Sequence, residues 1–267
     1  MTILAAHQAM GMIRDGMRVF LGSGAATPTE LIAALCEVAP GLKDVELCQL
    51  LALGPAPTAA PEFDGHLRHH AFFIGDNVRE AVRSGRADFT PVFLSDIASL
   101  FRGPMPVDVA LVQVSMPDSH GFCSLGVSVD IVKPAIDSAK VVIAEINPQM
   151  PRTHGDAFVH VSRLHMVSVD HPLLTLDGAH RVDDLTNAVG RHVAELIDDG
   201  DTLQLGIGAI PNAVLTYLHN HRDLGIHTEM FSDGVADLVD RGVITNGRKT
   251  LHRGKLVASF VLGSDDL

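Results

Sequence analysis

The sequence IRDGMRVFLGSGAATPTELIAAL, residues 13–35, decides the fold because a second version of it, IDDGDTLQLGIGAIPNAVLTYL, starts at residue 197. A shift of 184 places aligns Ile13 with Ile197, Asp15 with Asp199, Gly16 with Gly200, Leu21 with Leu205, Gly22 with Gly206 and Gly24 with Gly208. Each version has an apolar run, a glycine turn and an amphipathic run, which predicts a strand, a tight turn and a helix. The repeat predicts two related α/β halves, and each turn can present backbone N–H groups to an anionic ligand.

The composition indicates a globular protein of one large or two smaller domains. The chain has 267 residues, of which 46% are hydrophobic, enough for a sizeable core. No apolar run approaches the roughly 20 residues of a membrane span, and charged residues interrupt the region where a signal peptide would be apolar. The net charge of −12, without a cluster of Lys or Arg, disfavours nucleic acid and anionic membranes as partners. The lack of a membrane span and of a signal peptide predicts a cytoplasmic location. Cys36, Cys48 and Cys123 form no C-x-x-C pair, which predicts reduced thiols in or near the core and no cysteine zinc site.

Strand and helix patterns alternate along the chain between the two repeats, around an irregular Pro-rich stretch at 55–61. Strands are predicted at 17–21, 45–51, 71–74, 107–114 and 141–146, and helices at 28–36, 77–84 and 130–137. The runs VDVALVQV and KVVIAEI lack alternation, as do strands that are covered on both faces. The predicted fold class is therefore α/β with a largely parallel, open sheet.

The second repeat begins a second, shorter domain. A polar helical pattern at 183–198 leads into it, and we place the boundary between 184 and 185, within the range 181–185. Residues 185–267 hold a predicted strand at 226–231, a helix at 235–241 and the apolar run KLVASFVLGS. Because this stretch is too short to repeat the architecture of residues 1–184, the second domain is predicted to be truncated in this chain or completed by a partner chain.

The second glycine turn comprises Gly206, Ile207, Gly208, Ala209 and Ile210, and Pro211 follows in the predicted first turn of a helix. Its GxGxxP spacing differs from the G-x-G-x-x-G of dinucleotide folds, and no GK[ST] of a P-loop follows. From spacing alone, the turn is either an anion site or a steric requirement for glycine.

A glutamate follows this turn in the phrase HTEMFSDG. Glu229 lies near the carboxyl end of the predicted strand, and Ser232 or Asp233 can cap the next helix. In open α/β sheets the carboxyl edge of the strands holds the ligand crevice. The residue types alone leave three roles open for Glu229: general base, nucleophile or ion-pair partner.

Other residues carry competing interpretations. Glu46 falls opposite Glu229 with a shift of 183, so it is either a second catalytic carboxylate or an exposed charge at a strand end. Gln49, Asn77 and Arg79 are either substrate contacts or local structural contacts, such as a helix end. Ser115, Asp118 and His120 are residue types of a catalytic triad, but three residues this close in sequence rarely meet in that geometry. A turn in MPDSHG is therefore predicted instead.

Histidines are frequent, but no H-E-x-x-H phrase accompanies them, so no metal site is predicted. Those considered are His66, His69, His70, His154, His160, His165 and His171.

Four long phrases carry a resemblance to a known family: GDNVREAVRSGRADFTPVFLSDI from residue 75, NPQMPRTHGD from 147, GIGAIPNAVL from 206 and HTEMFSDGVADLVDRGVITN from 227. Together they resemble the acetyl-CoA hydrolase/transferase family over essentially the whole chain. The resemblance implies two related open-sheet CoA-transferase-type domains. It also implies transfer of CoA between an acyl-CoA and a short-chain carboxylic acid of the acetate or 4-hydroxybutyrate type.

The family resemblance also implies roles for the site residues. Glu229 would form a covalent glutamyl-CoA thioester, and the segment of residues 206–210 would bind coenzyme A. Acyl-CoA and the acid are then substrates, with no permanently bound cofactor and no metal. A later glycine-rich segment of the family is not found here, so a homo-oligomer or a missing C-terminal half is expected. An acetyl-CoA hydrolase and a truncated, non-catalytic CoA-binding module remain alternatives.

Overall fold

A computed structural model describes residues 3–175, 183–265 and 267. The chain divides into two compact units, Met1–Leu174 (unit 1) and Thr175–Leu267 (unit 2). The predicted boundary at 184/185 lies later, at the start of a helix, and its range of 181–185 begins outside the described residues. Within the described residues, no helix is long and apolar enough to cross a membrane.

Unit 1 is built on a parallel sheet, in which seven strands are seen among the described residues. The strand order is β4-β3-β2-β1-β5-β7-β9. These strands are β1 (Arg18–Leu21), β2 (Val45–Gln49), β3 (Leu67–Ala71), β4 (Ala87–Phe89), β5 (Val109–Val114), β7 (Val141–Ile146) and β9 (His165–Ser168). A short antiparallel pair, β6 (Phe122–Ser124) and β8 (Phe158–His160), lies outside this sheet. The predicted parallel α/β fold is confirmed.

Helices cover both faces of this sheet. They are α1 (Ala6–Met10), α2 (Thr29–Val38), α3 (Asp76–Arg83), α4 (Leu94–Arg102) and α5 (Val132–Ser138). Alternate residues of each strand point to opposite faces: Val19 and Leu111 pack with α1 and α2, whereas Phe20 and Ala110 pack with α4 and α5. This double coverage explains why the central strands lack hydrophobic alternation.

The position of one predicted strand was wrong. The apolar run at 71–74 was expected to be a strand, but β3 covers Leu67–Ala71 and ends where that run begins. Phe72 is buried after the strand, while Phe73 is exposed. The histidines of β3 fit inside because neighbouring hydroxyls bond them, as with Thr58 Oγ1, which lies 2.9 Å from His69 Nε2.

Unit 2 contains a parallel sheet of order β10-β11-β12 within the described residues. Its strands are β10 (Thr202–Leu203), β11 (Gly225–Phe231) and β12 (Val257–Val261), and its helices are α6 (Asp184–Ala194), α7 (Ala209–Leu215) and α8 (Asp233–Asp240). Ile226 of β11 packs in one apolar cluster with residues from all three helices. His227 and Glu229, which alternate with the buried positions of the strand, are exposed.

The repeat is reproduced in backbone geometry and hydrogen bonds. In unit 1 the N–H of Gly16 donates to the carbonyl of Lys43, and in unit 2 the N–H of Gly200 donates to that of Arg222, both at 2.9 Å. Asp15 accepts from the N–H of Lys43 at 2.9 Å, and Asp199 accepts from that of Arg222 at 2.8 Å. The next residues, Asp44 and Asp223, both have positive φ. The two halves therefore share one local structure, as the sequence predicted.

Candidate functional site

The second glycine turn is open to solvent. Gly206 and Ile207 are exposed, and Gly208 precedes α7 with φ of 137°, a backbone conformation that favours glycine. A Cβ at Gly206 or Gly208 would meet no described atom within 4 Å. The glycines are thus not required here by close packing inside the unit. Ala209 begins α7, and Ile210 in its first turn is 46% exposed.

Two hydroxyls, one in β11 and one just after it, join this part of the chain to the residues on either side of the turn. Thr228 Oγ1 accepts from the N–H of Leu205 at 2.8 Å and lies 3.0 Å from the carbonyls of both Leu205 and Met230. Ser232 Oγ donates to Asn212 Oδ1 of α7 at 3.0 Å. Sequence reasoning considered Ser232 only as a cap and missed Thr228. The one available signal was its position beside Glu229.

Glu229 is a residue of β11 and is exposed. Thr228 before it and Met230 after it are buried, so the glutamate points away from the helices that pack on Ile226. Among the described residues, no hydrogen bond or ion pair engages its carboxylate. The structure thus brings the glycine turn and Glu229 to the same end of the β10–β11 pair, with the carboxylate available for chemistry.

The first glycine turn differs from the second because it is buried. The N–H of Gly22 donates to the carbonyl of Leu111 at 2.9 Å, and the N–H of Gly24 donates to that of Leu51 at 2.7 Å. Glu145 Oε1 accepts the N–H of Leu31, in the first turn of α2, at 2.7 Å. A carboxyl group of the chain itself therefore occupies the N-terminus of α2, next to this turn, where an external anion would otherwise bind. The expectation that both turns can face an anionic ligand was wrong for this copy.

Glu145 belongs to a buried polar cluster at the carboxyl ends of β5 and β7. Its side chain is fully buried, and Oε2 lies 3.3 Å from Gln113 Nε2 and 3.5 Å from His171 Nε2. Asn147 donates to both Gln113 Oε1 and the carbonyl of His171. Burial raises the pKa of Glu145 to about 7, against the opposing effects of the Leu31 N–H and His171. Sequence reasoning missed this residue because it lies inside an apolar strand pattern.

Glu46 is not the counterpart of Glu229. In the sheets, Arg18 pairs with Glu46 and the equivalent Thr202 pairs with Gly225, so the strand register makes Gly225 the counterpart of Glu46. Glu46 instead accepts two bonds from Arg18 at 2.9 Å and lies 3.1 Å from His70. Burial alone would raise its pKa, but His70 and Arg18 outweigh burial and lower the pKa to about 2. Neither interpretation from the sequence holds: the residue is an ion-paired member of the sheet.

Three polar candidates of unit 1 have structural contacts. Asn77 Nδ2 donates to the carbonyls of Ala52 at 2.8 Å and Gly54 at 3.0 Å. Gln49 Oε1 accepts from the N–H of Ala52 at 3.1 Å. Arg79 pairs with Asp76 in the first turn of α3. These contacts fix the chain after β2 and the start of α3.

The remaining candidates have local contacts as well. Asp118 accepts from the N–H groups of His120 and Phe122, both at 2.9 Å, which confirms the predicted turn. Ser115 Oγ accepts from the N–H of Ser124. Burial lowers the pKa of His69 to about 4, and its ring bonds Thr58. Over residues 3–175, 183–265 and 267, no group of three or more His, Cys, Asp or Glu is placed to hold a metal ion.

Comparison with known proteins identifies related sequences over nearly the whole chain. The sequence profile of the acetyl-CoA hydrolase/transferase N-terminal domain matches residues 2–175. The chain is 47% identical over 267 residues to a 4-hydroxybutyrate coenzyme A transferase of Clostridium kluyveri, covering 99% of this chain and 62% of that protein. It is 46% identical to a succinyl-CoA:acetate/propanoyl-CoA:succinate CoA transferase of Fasciola hepatica, covering 96% of this chain and 54% of the relative.

Solved structures agree with this relationship. The crystal structure of a 4-hydroxybutyrate CoA-transferase from Porphyromonas gingivalis superimposes with a TM-score of 0.87 at 39% identity, and it covers 99% of this chain and 63% of the other. The chain thus spans less than two thirds of the length of these relatives.

Proposed function

The chain belongs to the acetyl-CoA hydrolase/transferase family, and from that premise we propose that it moves CoA between an acyl-CoA and a short-chain carboxylic acid through a thioester on Glu229. The segment of residues 206–210 is proposed to bind coenzyme A. The observation that carries the proposal is the meeting of an exposed glycine turn with an exposed, unpaired glutamate at one end of β10 and β11, as far as the described residues extend.

The proposed chemistry needs only acyl exchange. The Glu229 carboxylate attacks the thioester carbonyl, the C–S bond breaks, and CoA thiolate leaves an acyl-glutamyl anhydride. The thiolate then attacks the glutamyl carbonyl, which releases the first acid and forms the glutamyl-CoA thioester. An incoming carboxylate reverses these two steps and leaves as the new acyl-CoA, with Glu229 regenerated. The thioester energy is conserved, so no ATP is consumed.

Local geometry supports separate roles for the turn and the glutamate. Residues 206–210 offer backbone close to solvent, where the nucleotide part of CoA can be held without contact to the reacting carbonyl. Binding of that remote part can fix the thioester against Glu229 and so favour the transition state. The exposed apolar side chains of Ile207 and Ile210 add surface on which the pantetheine arm can pack.

Exposure of Glu229 favours hydrolysis as a second candidate activity. Water that reaches the anhydride or the thioester would take the place of the acceptor acid, so that the free acid and CoA are released and the Glu229 carboxylate is regenerated. Transfer and hydrolysis are separated by adding a carboxylic acid: acyl exchange depends on it, whereas hydrolysis proceeds without it. We propose acyl-CoA and a short carboxylic acid as partners. We also propose a cytoplasmic location, on the strength of the three unpaired cysteines.

Trapping of the thioester tests the mechanism. The purified chain is mixed with acetyl-CoA, reduced with borohydride, which converts a thioester carbonyl to an alcohol, and mapped by peptide mass spectrometry. We expect the modification at Glu229 and its loss in Glu229→Gln. Glu195→Gln is the matched control, because Glu195 is an exposed glutamate of the same unit.

A second arm adds the C-terminal part of the Clostridium kluyveri relative, since the chain spans 62% of that protein. An adduct that forms only in the mixture would place supporting groups of the site outside this chain. Absence of a Glu229 adduct in both arms would refute the covalent mechanism. Binding of coenzyme A without an adduct would then favour the non-catalytic binding module.

A further inference from the structure

We propose that Thr228 is a positioning residue, whose hydroxyl fixes the coenzyme turn relative to Glu229. The inference rests on the proposed function and adds a residue to it. Its basis is the two contacts of Thr228 Oγ1 with the N–H and the carbonyl of Leu205, which join the residue before Glu229 to the residue before Gly206. A third contact, to the carbonyl of Met230, holds the hydroxyl on the other side of Glu229.

The register shows what the hydroxyl replaces. β10 pairs with β11 through Thr202 with Gly225 and Leu203 with Ile226, and the ladder then stops. Continuation of this register would place Leu205 opposite Thr228. At that point the side chain of Thr228 bonds Leu205 in place of the β11 backbone: Oγ1 accepts from the N–H of Leu205 and lies 3.0 Å from its carbonyl oxygen. Thus the backbone leaves the sheet at Leu205 to form the turn, while its polar groups stay bonded.

Unit 1 lacks this arrangement at the matching position. The register that aligns Glu46 with Gly225 also makes Gln49 the counterpart of Thr228. Gln49 accepts from the N–H of Ala52 in its own loop, and the first glycine turn is held by the backbone bond from Gly24 to Leu51. In unit 1 a hydroxyl that follows the turn is used instead: Thr27 Oγ1 donates to the carbonyl of Gly24 and accepts from the N–H of Leu53. Of the two matching positions, only Thr228 therefore bonds the turn segment through a side chain on the strand itself.

A second contact limits movement on the other side of Glu229. Ser232 Oγ donates to Asn212 Oδ1, so the chain after β11 is joined to the helix that follows the turn. Thr228 and Ser232 thus bracket Glu229 and hold both ends of the segment that contains residues 206–210. Because misplacement by about 1 Å can cost on the order of 100-fold in rate, such contacts matter more to the reaction than to binding.

Substitution of Thr228 by valine and by serine tests the role. Thr228→Val keeps the shape but removes the hydroxyl, whereas Thr228→Ser keeps the hydroxyl. We expect Thr228→Val to lower the rate of Glu229 adduct formation at saturating acetyl-CoA by about tenfold or more, with the Kd for free CoA within about threefold of the wild-type value. Thr228→Ser should remain within about threefold for both. Hydrogen exchange of residues 205–210 should increase in the valine variant and not in the serine variant.

The outcomes separate this inference from the proposed function. Equal adduct rates for Thr228→Val and wild type would overturn the positioning role, and so would a loss of CoA affinity as large as the loss of rate. If wild type forms no adduct, either alone or with the C-terminal part of the relative, while Thr228→Val still loosens residues 205–210, the proposed function fails and the catalytic role of the contact fails with it. Should Thr228→Val not fold, Thr228→Cys, with a weak thiol donor, is expected to give an intermediate adduct rate, and a wild-type rate for it would refute the proposal.

Discussion

Replacement of Glu145 by glutamine is expected to remove a pH dependence of stability from unit 1. Burial raises the pKa of this carboxyl from its ordinary value of 4.5 to about 7, and the titratable groups that face it are His171 and Glu30. Between these pH values the unfolded chain loses its proton while the folded chain keeps it. The free energy of unfolding therefore falls as pH rises from about 4.5 to about 7, by about 3 kcal/mol, and this contribution is constant above.

Glutamine is neutral at every pH and can still accept the N–H of Leu31, so the variant should lack that fall. The assay is urea unfolding at pH 5 and pH 8, followed by pulse labelling of thiols, because all three cysteines lie in unit 1 and the chain has no tryptophan. Comparison of variant and wild type at each pH cancels the pH dependence of labelling itself. A difference between the two proteins that changes by less than about 1 kcal/mol from pH 5 to pH 8 would refute the argument from burial.

Two further substitutions test the structure at other points. Glu46→Gln should remove a pH dependence of stability of the opposite sign, because the low pKa of Glu46 contributes stability above about pH 4.5 that is lost as pH falls toward 2. After allowance for solvent screening, we expect this contribution to be about 1 kcal/mol. It is measured as the difference in the free energy of unfolding by urea between wild type and variant at pH 7 and at pH 3. Gly190→Ala should destabilise unit 2 by about 1–3 kcal/mol, since the new Cβ would lie 2.8 Å from Ala213 Cβ. Tyr217, the single tyrosine, lies in unit 2, so its fluorescence reports that transition. An unchanged midpoint would contradict the close packing of α6 on α7 at Gly190.

The parallel sheet and the repeat could be predicted because both depend on local pattern. The apolar runs that become β5 and β7 are buried on both faces, and the glycine turns of the two repeats follow short strands in each unit. In contrast, β3 was misplaced because His69 is acceptable in a buried strand only once Thr58, from the preceding Pro-rich stretch, supplies a hydroxyl. A pattern of single residues does not contain that partner.

Only some positions of the candidate site could be predicted from the sequence. The phrase around Glu229 located it near the end of β11, as found. The match to Glu46 failed because the segment between the first and second strands is shorter in unit 2, so the shift that aligns the two glycine turns does not align the strands that follow them. Thr228 and Glu145 were missed because their importance comes from backbone groups, on Leu205 and Leu31, that only the folded chain brings to them.

The carboxylate of Glu145 has a consequence for how the two repeats respond to their surroundings. A helix start that bonds an internal carboxyl group, as α2 bonds Glu145, is stabilised to the same extent in any solution of a given pH, since the partner is covalently part of the chain. A turn that binds an external anion gains stability with the logarithm of the ligand concentration, about 1.4 kcal/mol for each tenfold rise well above Kd. With coenzyme A bound at residues 206–210 as proposed, the stability of unit 2 would follow the cellular supply of its ligand, whereas the stability of unit 1 would change with pH and not with the concentration of coenzyme A.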